Sequence, residues 1–269
     1  MIRGHSPDIA GDDPHIRLEL IMTAPSGKPN LSLEGRIVLV TGANGGLGEQ
    51  FVSQALERGA AKVYAAARRP RGWTDARIQP LELDITDAVS VSHAVMTAAD
   101  VDLLINNAAV APANDTLFGP EEEARAILET NFFGTLRVAN AFAPVLAGNG
   151  GGTMLNIVSS AAWIPMPTVY AASKAAVWSA TNGLRMALEG QGTKVIGLYV
   201  GMIDTPMAAQ YDVPKTSAAS VVAQAYDGIA AGVLEVLADD LTRDLKSRMG
   251  MPADAFYPQV HAQLRAFLA

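Results

Sequence analysis

The 269-residue sequence contains no cysteine, which excludes disulfides, thiolate catalysis and cysteine-bound metal and fits a reducing compartment. Its four histidines, His5, His15, His93 and His261, are scattered without ligand spacing, so no metal site is expected. Positive charge is in deficit: 20 Lys and Arg against 27 Asp and Glu give a formal net charge of -7. That balance argues against an electrostatic grip on nucleic acid or anionic lipid and favours small-molecule partners. No apolar run is long enough for a signal peptide in the first 30 residues or for a membrane span elsewhere, and the expected location is cytoplasmic. What the chain does have is 49% hydrophobic content with only 17% charged residues, the composition of one large globular domain.

Residues 1–32 mix charges, prolines and glycines ahead of the first credible strand and are expected to form a flexible arm. Met22, before the polar stretch TAPSGKPN, leaves an upstream translation start as an alternative origin for part of it. Residues 33–269 read as a single domain that closes with a short C-terminal helical segment. From Arg36 onward, short β-rich runs alternate with longer helical patterns: RIVLV, KVYAA, PLELDI, VDLLI, TMLNIV, KVIGLYV and VLEVLAD as strands. A helix is expected from Leu47 to Arg58, another capped by Asp87 and running to Ala99, and a long one over GPEEEARAILETNFFGTLRVANAF, which opens on proline and acids as helix starts do. The alternation predicts an α/β fold, a doubly wound parallel sheet of about seven strands covered on both faces.

The stretch VTGANGGLG joins the first strand to the first helix. Gly42, Gly46 and Gly48 remove side chains where a phosphate must approach the backbone, and the helix N-terminus adds free N–H groups and a positive dipole end. A dinucleotide seat is the expectation. NAD is ordinarily held by an acid about 20 residues further on. Here that neighbourhood reads AAARRP, with Ala67 in place of the acid and Arg68 and Arg69 directly after it. A missing carboxylate and two added guanidinium groups favour a 2′-phosphate, hence NADP.

Further on, TVYAASKAAVW holds Tyr170 and Lys174 one helical turn apart. Side chains at i and i+4 share a helix face, so in a buried stretch the ammonium is expected beside the phenol's oxygen.

The glycine turn, NNAA after the fourth strand and this Tyr-x-x-x-Lys helix, in that order, resemble the classical short-chain dehydrogenase/reductase family over about residues 33–240. The resemblance implies a single Rossmann-type domain. It places Thr41, Gly42, Asn44, Gly46, Leu47, Gly48, Asp84, Ile85, Asn107 and Ala108 along the cofactor, with Arg68 and Arg69 at its 2′-phosphate and Gly201, Ile203 and Thr205 at its nicotinamide end. It makes Tyr170 the general acid or base. Lys174 then binds the nicotinamide ribose and lowers the phenol's pKa from its ordinary value of about 10. Asn131 in ETNFFG resembles the asparagine that anchors a proton-relay water through its backbone.

The sequence departs from the family pattern in three places. Ala109 replaces the last glycine of Asn-Asn-Ala-Gly, and Val200 replaces the proline of Pro-Gly, which is expected to loosen the loop at the nicotinamide. The connection before Tyr170 is short: Ser159, the choice for the catalytic serine by the Asn-x-x-Ser count from Asn156, precedes it by 11 residues and Ser160, the alternative, by 10. The implied activity is hydride transfer between NADP(H) and a small carbonyl or secondary alcohol. Trp163, Met166, Met202, Met207 and Tyr211 are candidate apolar walls, and the absence of a charged anchor favours small uncharged aldehydes or ketones. An NAD-dependent alcohol dehydrogenase and a non-catalytic dinucleotide sensor are the alternatives; an intact Tyr170 and Lys174 argue against the sensor. The resemblance also implies a homo-oligomer, dimer or tetramer, assembled through the helices carrying Asn131 and Tyr170.

Overall fold

A computed structural model describes residues 32–268. The expected arm, 1–32, lies outside the described residues except for Ser32.

Seven parallel strands form one sheet in the order β3-β2-β1-β4-β5-β6-β9: β1 (Ile37–Thr41), β2 (Lys62–Ala67), β3 (Ile78–Glu82), β4 (Leu103–Asn106), β5 (Gly152–Ile157), β6 (Thr193–Tyr199) and β9 (Glu235–Leu237). The chain starts in the middle, winds outward to β3, then returns to build the other half from β4. The reversal leaves a crevice beyond the carboxyl ends of β1 and β4, where sheets of this kind bind ligands.

Successive strand residues face opposite sides, and the core divides accordingly. Val38 and Val40 of β1 pack with Phe51 and Val52 of α1 (Leu47–Glu57) and with Val221, Ala225 and Tyr226 of α6 (Ala218–Ala231). Leu39 points the other way, into a cluster with Val91 and Ala94 of α2 (Ala88–Thr97) and Val138, Phe142 and Leu146 of α4 (Thr135–Gly148). A third cluster joins the segment after β5 (Val158, Trp163, Ile164) and Tyr199 to Leu245 of α7 (Asp240–Arg248) and Phe256 and Val260 of α8 (Ala253–Leu268). The C-terminal helices thus brace the chain that follows β5 and β6.

The expected elements are present, with informative differences. Asp87 caps α2 as read, accepting from the Val89 N–H. Strand β3 covers Ile78–Glu82 rather than 80–85, because its partner β2 ends at Ala67, opposite Glu82. The single long helix expected over 119–142 is three pieces: α3 (Glu121–Leu128), a π-helical turn (Glu129–Gly134) and α4. A Cβ at Gly134 would lie 2.9 Å from the Ile85 side chain, so this turn passes close against the loop after β3. A small parallel pair, β7 (Ile203–Asp204) with β8 (Thr216–Ser217), went unread because two-residue strands carry no periodicity; it closes the base of the loop between them. No helix among the described residues is long and apolar enough to cross a membrane.

Candidate active site

A cavity of about 940 Å³ opens at the crevice. One end is built by the turn between β1 and α1. Gly42 and Gly46 have φ values of 67° and 57°, where side chains are disfavoured. A Cβ on Gly48 would sit 2.1 Å from the Gly42 carbonyl oxygen, so only glycine lets the helix start this close to the strand. No side chain caps α1; at its start the Gly48 N–H donates to the Gly45 carbonyl (3.1 Å). The Asn44 amide donates to the Arg69 carbonyl (2.7 Å), lashing the glycine turn to the segment after β2. There Arg68 and Arg69 line the cavity, exposed, and neither guanidinium forms an ion pair or hydrogen bond among the described residues. Arg71, by contrast, is engaged with Glu49 (2.6 Å) and lies over the Trp73 ring. Asp84 also lines this end. Its carboxylate accepts from the Thr86 hydroxyl (2.7 Å) and N–H (2.9 Å), which hold it below the usual carboxylate range, helped by the charges of Arg68 and Arg137.

Between the ends, the buried Thr41 hydroxyl accepts from the N–H groups of Asn107 and Ala108 (2.9 and 3.0 Å), and the Asn107 amide donates back to the Thr41 carbonyl (2.8 Å). The chains leaving β1 and β4 are locked together along the cavity floor.

The other end is set by α5 (Val169–Ala187) and the chain leaving β5. Ser159, Tyr170 and Lys174 meet on its wall; Ser160 is buried and does not line it. The two serines are separated by a turn and not by strand alternation. Strand β5 ends at Ile157, and Ser159 caps a 3-10 turn (Ser160–Ala162), accepting from the Ala161 N–H (3.1 Å). Lys174 is nearly buried and donates to the Ile157 carbonyl (2.9 Å), with its nitrogen 5.6 Å from the centre of the Tyr170 ring.

This corrects the expected charge coupling. Burial pushes the Tyr170 phenol up from its ordinary value, a polar contact with the Ser159 hydroxyl offsets part of the rise, and burial pulls Lys174 down to about 8. The ammonium stands over the ring and turns to a backbone carbonyl instead of the phenol oxygen, so desolvation outweighs attraction.

Of the remaining sequence-derived residues, Asn44, Leu47, Ile85, Asn107, Ala108, Gly201, Ile203 and Thr205 line the cavity along with Gly42, Gly46, Arg68, Arg69 and Asp84; Thr41 and Gly48 shape it from behind. Asn131 is 1% exposed and does not line it, whereas its neighbour Thr130 does. The Asn131 amide holds both the N–H (2.8 Å) and the carbonyl (2.9 Å) of Val110 and donates to the Ser173 hydroxyl (3.0 Å). Its own carbonyl accepts from the Thr135 hydroxyl (2.8 Å). Of the candidate apolar walls only Met207 lines the cavity. Trp163 stacks on Tyr199 at 4.6 Å in the third core cluster, buried away from it.

Two residues that the sequence reading missed hold this end. Asp115 accepts from the N–H groups of Val169 and Tyr170, and Asp239 accepts from the N–H of Gly201 (2.5 Å). Both are acids in turns, and neither carries a local signal of the distant backbone it serves.

A glycine-built turn at one end and Ser159, Tyr170 and Lys174 at the other thus share one cavity at the crevice of the sheet. Residues 36–215 match the family described as short chain dehydrogenase, and the chain belongs to it. It is an oxidoreductase of that family. Among solved structures it is similar to a short chain dehydrogenase from Burkholderia cenocepacia J2315 in complex with NADP: 34% identity, 85% of this chain and 99% of that one covered, TM-score 0.80. It is also similar to a 3-ketoacyl-(acyl-carrier-protein) reductase from Brucella melitensis complexed with NADH, at 25% identity, 76% of this chain and 98% of that one covered, TM-score 0.69. An uncharacterised oxidoreductase of Staphylococcus haemolyticus is 30% identical over 193 residues, 67% of this chain and 83% of its own length.

Proposed function

We propose that this oxidoreductase uses NADP(H) to interconvert a small uncharged carbonyl compound and the corresponding secondary alcohol. The observation that carries the reading is the meeting of Tyr170, Ser159 and Lys174 on one wall of a cavity whose far end carries the exposed Arg68 and Arg69, neither of which forms an ion pair or hydrogen bond through its guanidinium among the described residues. The residues fit such a dinucleotide: the helix start without a side-chain cap and the glycine-only approach suit a pyrophosphate, and the exposed arginines beside Ala67 suit a 2′-phosphate. Bound there, the nicotinamide supplies or accepts the hydride.

The chain's own groups do the rest. Tyr170 gives its hydroxyl proton to the carbonyl oxygen during reduction and takes it back in the reverse direction. Ser159 turns its hydroxyl proton from the Val200 carbonyl (3.3 Å) to that oxygen and polarises the carbonyl. Lys174, protonated below about pH 8, is placed to hold the nicotinamide ribose hydroxyls. Asn131 serves the site through Val110 and Ser173, by holding the loop after β4 against α5.

NADPH consumption across a panel of aldehydes and ketones tests the reading. Tyr170→Phe should bind NADPH like the parent and lose turnover by ~10²–10⁴-fold, the usual worth of acid–base catalysis. Turnover retained in that variant would show that the phenol does not carry the proton.

A further inference from the structure

The loop after β6 reads Val200-Gly201, with valine where the family pattern has proline. Valine leaves the backbone dihedral at this position free, so the loop is expected to be slack. It is held at three points instead. The Val200 carbonyl accepts from the Ser160 N–H (3.0 Å) and the Ser159 hydroxyl (3.3 Å), and the Gly201 N–H donates to the Asp239 carboxylate (2.5 Å).

Asp239 directs its two oxygens to different parts of the molecule. One accepts from the Thr242 N–H (2.7 Å) and hydroxyl (2.6 Å), capping α7. The other reaches 38 residues back to Gly201. A carboxylate at a helix start is stabilised by the helix dipole, and here that favourable position also fixes the acceptor used by the loop. Space is tight: a Cβ on Gly201 would sit 3.2 Å from the Leu241 side chain and 3.3 Å from the Asp239 oxygen, so the loop is pressed against the first turn of α7. Asp239 lies beyond the region matched by the family, 36–215, in the C-terminal segment that packs on Trp163 and Tyr199.

We propose that Asp239 is a positioning residue for the nicotinamide half of the cofactor: by anchoring Gly201 it orders the chain through Ile203 and Thr205, and so makes the C-terminal helices part of the binding site. The proposal rests on the functional reading above. It makes a directional claim, because Gly201, Ile203 and Thr205 enter the cavity from the second half of the sheet, whereas Arg68, Arg69 and Asp84 line it from the segments after β2 and β3, where the functional reading puts the adenosine end.

The test compares two ligands by calorimetric titration. NADPH spans the cavity; 2′,5′-ADP carries only the adenosine end with its phosphates. Asp239→Ala should weaken NADPH by about tenfold or more, as expected when a binding loop loses its preorganisation, while 2′,5′-ADP stays within about twofold of the parent. Asp239→Asn should fall between, since its amide accepts through one oxygen and leaves one set of donors unserved; it also serves as the test variant if the alanine protein does not fold. Thr242→Val removes a hydroxyl that donates to the Asp239 cap and leaves the Gly201 contact in place, so it should lower Tm without changing the ratio of the two affinities. Equal weakening of both ligands in Asp239→Ala, an unmoved NADPH affinity, or a ratio that shifts as far in Thr242→Val overturns the inference. A parent protein that binds neither ligand overturns the functional reading itself, and the inference with it.

Discussion

The carboxylate of Asp115 accepts hydrogen bonds from the backbone N–H groups of Val169 (3.0 Å) and Tyr170 (2.7 Å), so a loop residue 55 positions earlier closes the first turn of the helix that carries the phenol. Thr168 caps the same helix locally through the Ala171 N–H (3.2 Å), and Leu117 donates to the Pro167 carbonyl (3.0 Å). The loop following Val110 is therefore fastened at both ends, by Asn131 at its start and by the helix beyond Asp115.

Asp115→Ala strips two helix N–H groups of their acceptor, and lost caps cost ~0.5–2 kcal/mol. Its Tm and kcat should both fall while NADPH affinity holds, with Asp115→Asn intermediate because one acceptor oxygen remains. Thermal unfolding and steady-state kinetics on the same preparations check this; weaker NADPH binding with unchanged kcat would assign the loop to the dinucleotide instead.

Ser159→Ala should cost far more kcat than Ser160→Ala. Ser159 faces the phenol on the cavity wall, whereas Ser160 is 4% exposed behind it and contributes its N–H to the Val200 carbonyl, a bond that alanine keeps. Equal losses would mean that the 3-10 turn matters as a support and that neither hydroxyl polarises the carbonyl.

The combined Arg68→Ala and Arg69→Ala change should erode the preference for NADPH over NADH in kcat/KM. Both side chains are exposed and neither guanidinium forms a hydrogen bond or ion pair among the described residues, so stability should move little: substitutions on exposed sites away from special features usually stay within about 0.5 kcal/mol. A preference that survives the double change would place 2′-phosphate recognition elsewhere.

Lys174 makes stability depend on pH in a way that its removal should reveal. Burial lowers it to about 8 from 10.5, so between those values the unfolded chain holds a proton that the folded chain has lost. Unfolding then takes up a proton, and stability rises with pH across the window; the gain from pH 7 to 9 is about 1 kcal/mol. Chemical denaturation of the ligand-free protein and of Lys174→Met at the two pH values should show that increment in the parent and not in the variant. The same slope in both would mean that the lysine is solvated enough to titrate normally.

Local chemistry already determined most of the scaffold in the sequence. Strand and helix periods, the glycines that only a close backbone approach demands, the Asp87 cap and the i, i+4 spacing of Tyr170 and Lys174 depend on neighbours within a few residues, and these are legible without a fold. The order of elements then implied the crevice and the residues around it. Tertiary structure alone decided what depended on distance or on solvent: that Asp115 and Asp239 serve backbone 55 and 38 residues away, that Asn131 works on Val110 from behind the wall, and that Trp163 belongs to the core. It also reversed the electrostatics of the central pair. Spacing put Lys174 within reach of Tyr170, but the ammonium turns to the Ile157 carbonyl and the sign of each pKa shift came from burial, and desolvation is a property of the packed chain.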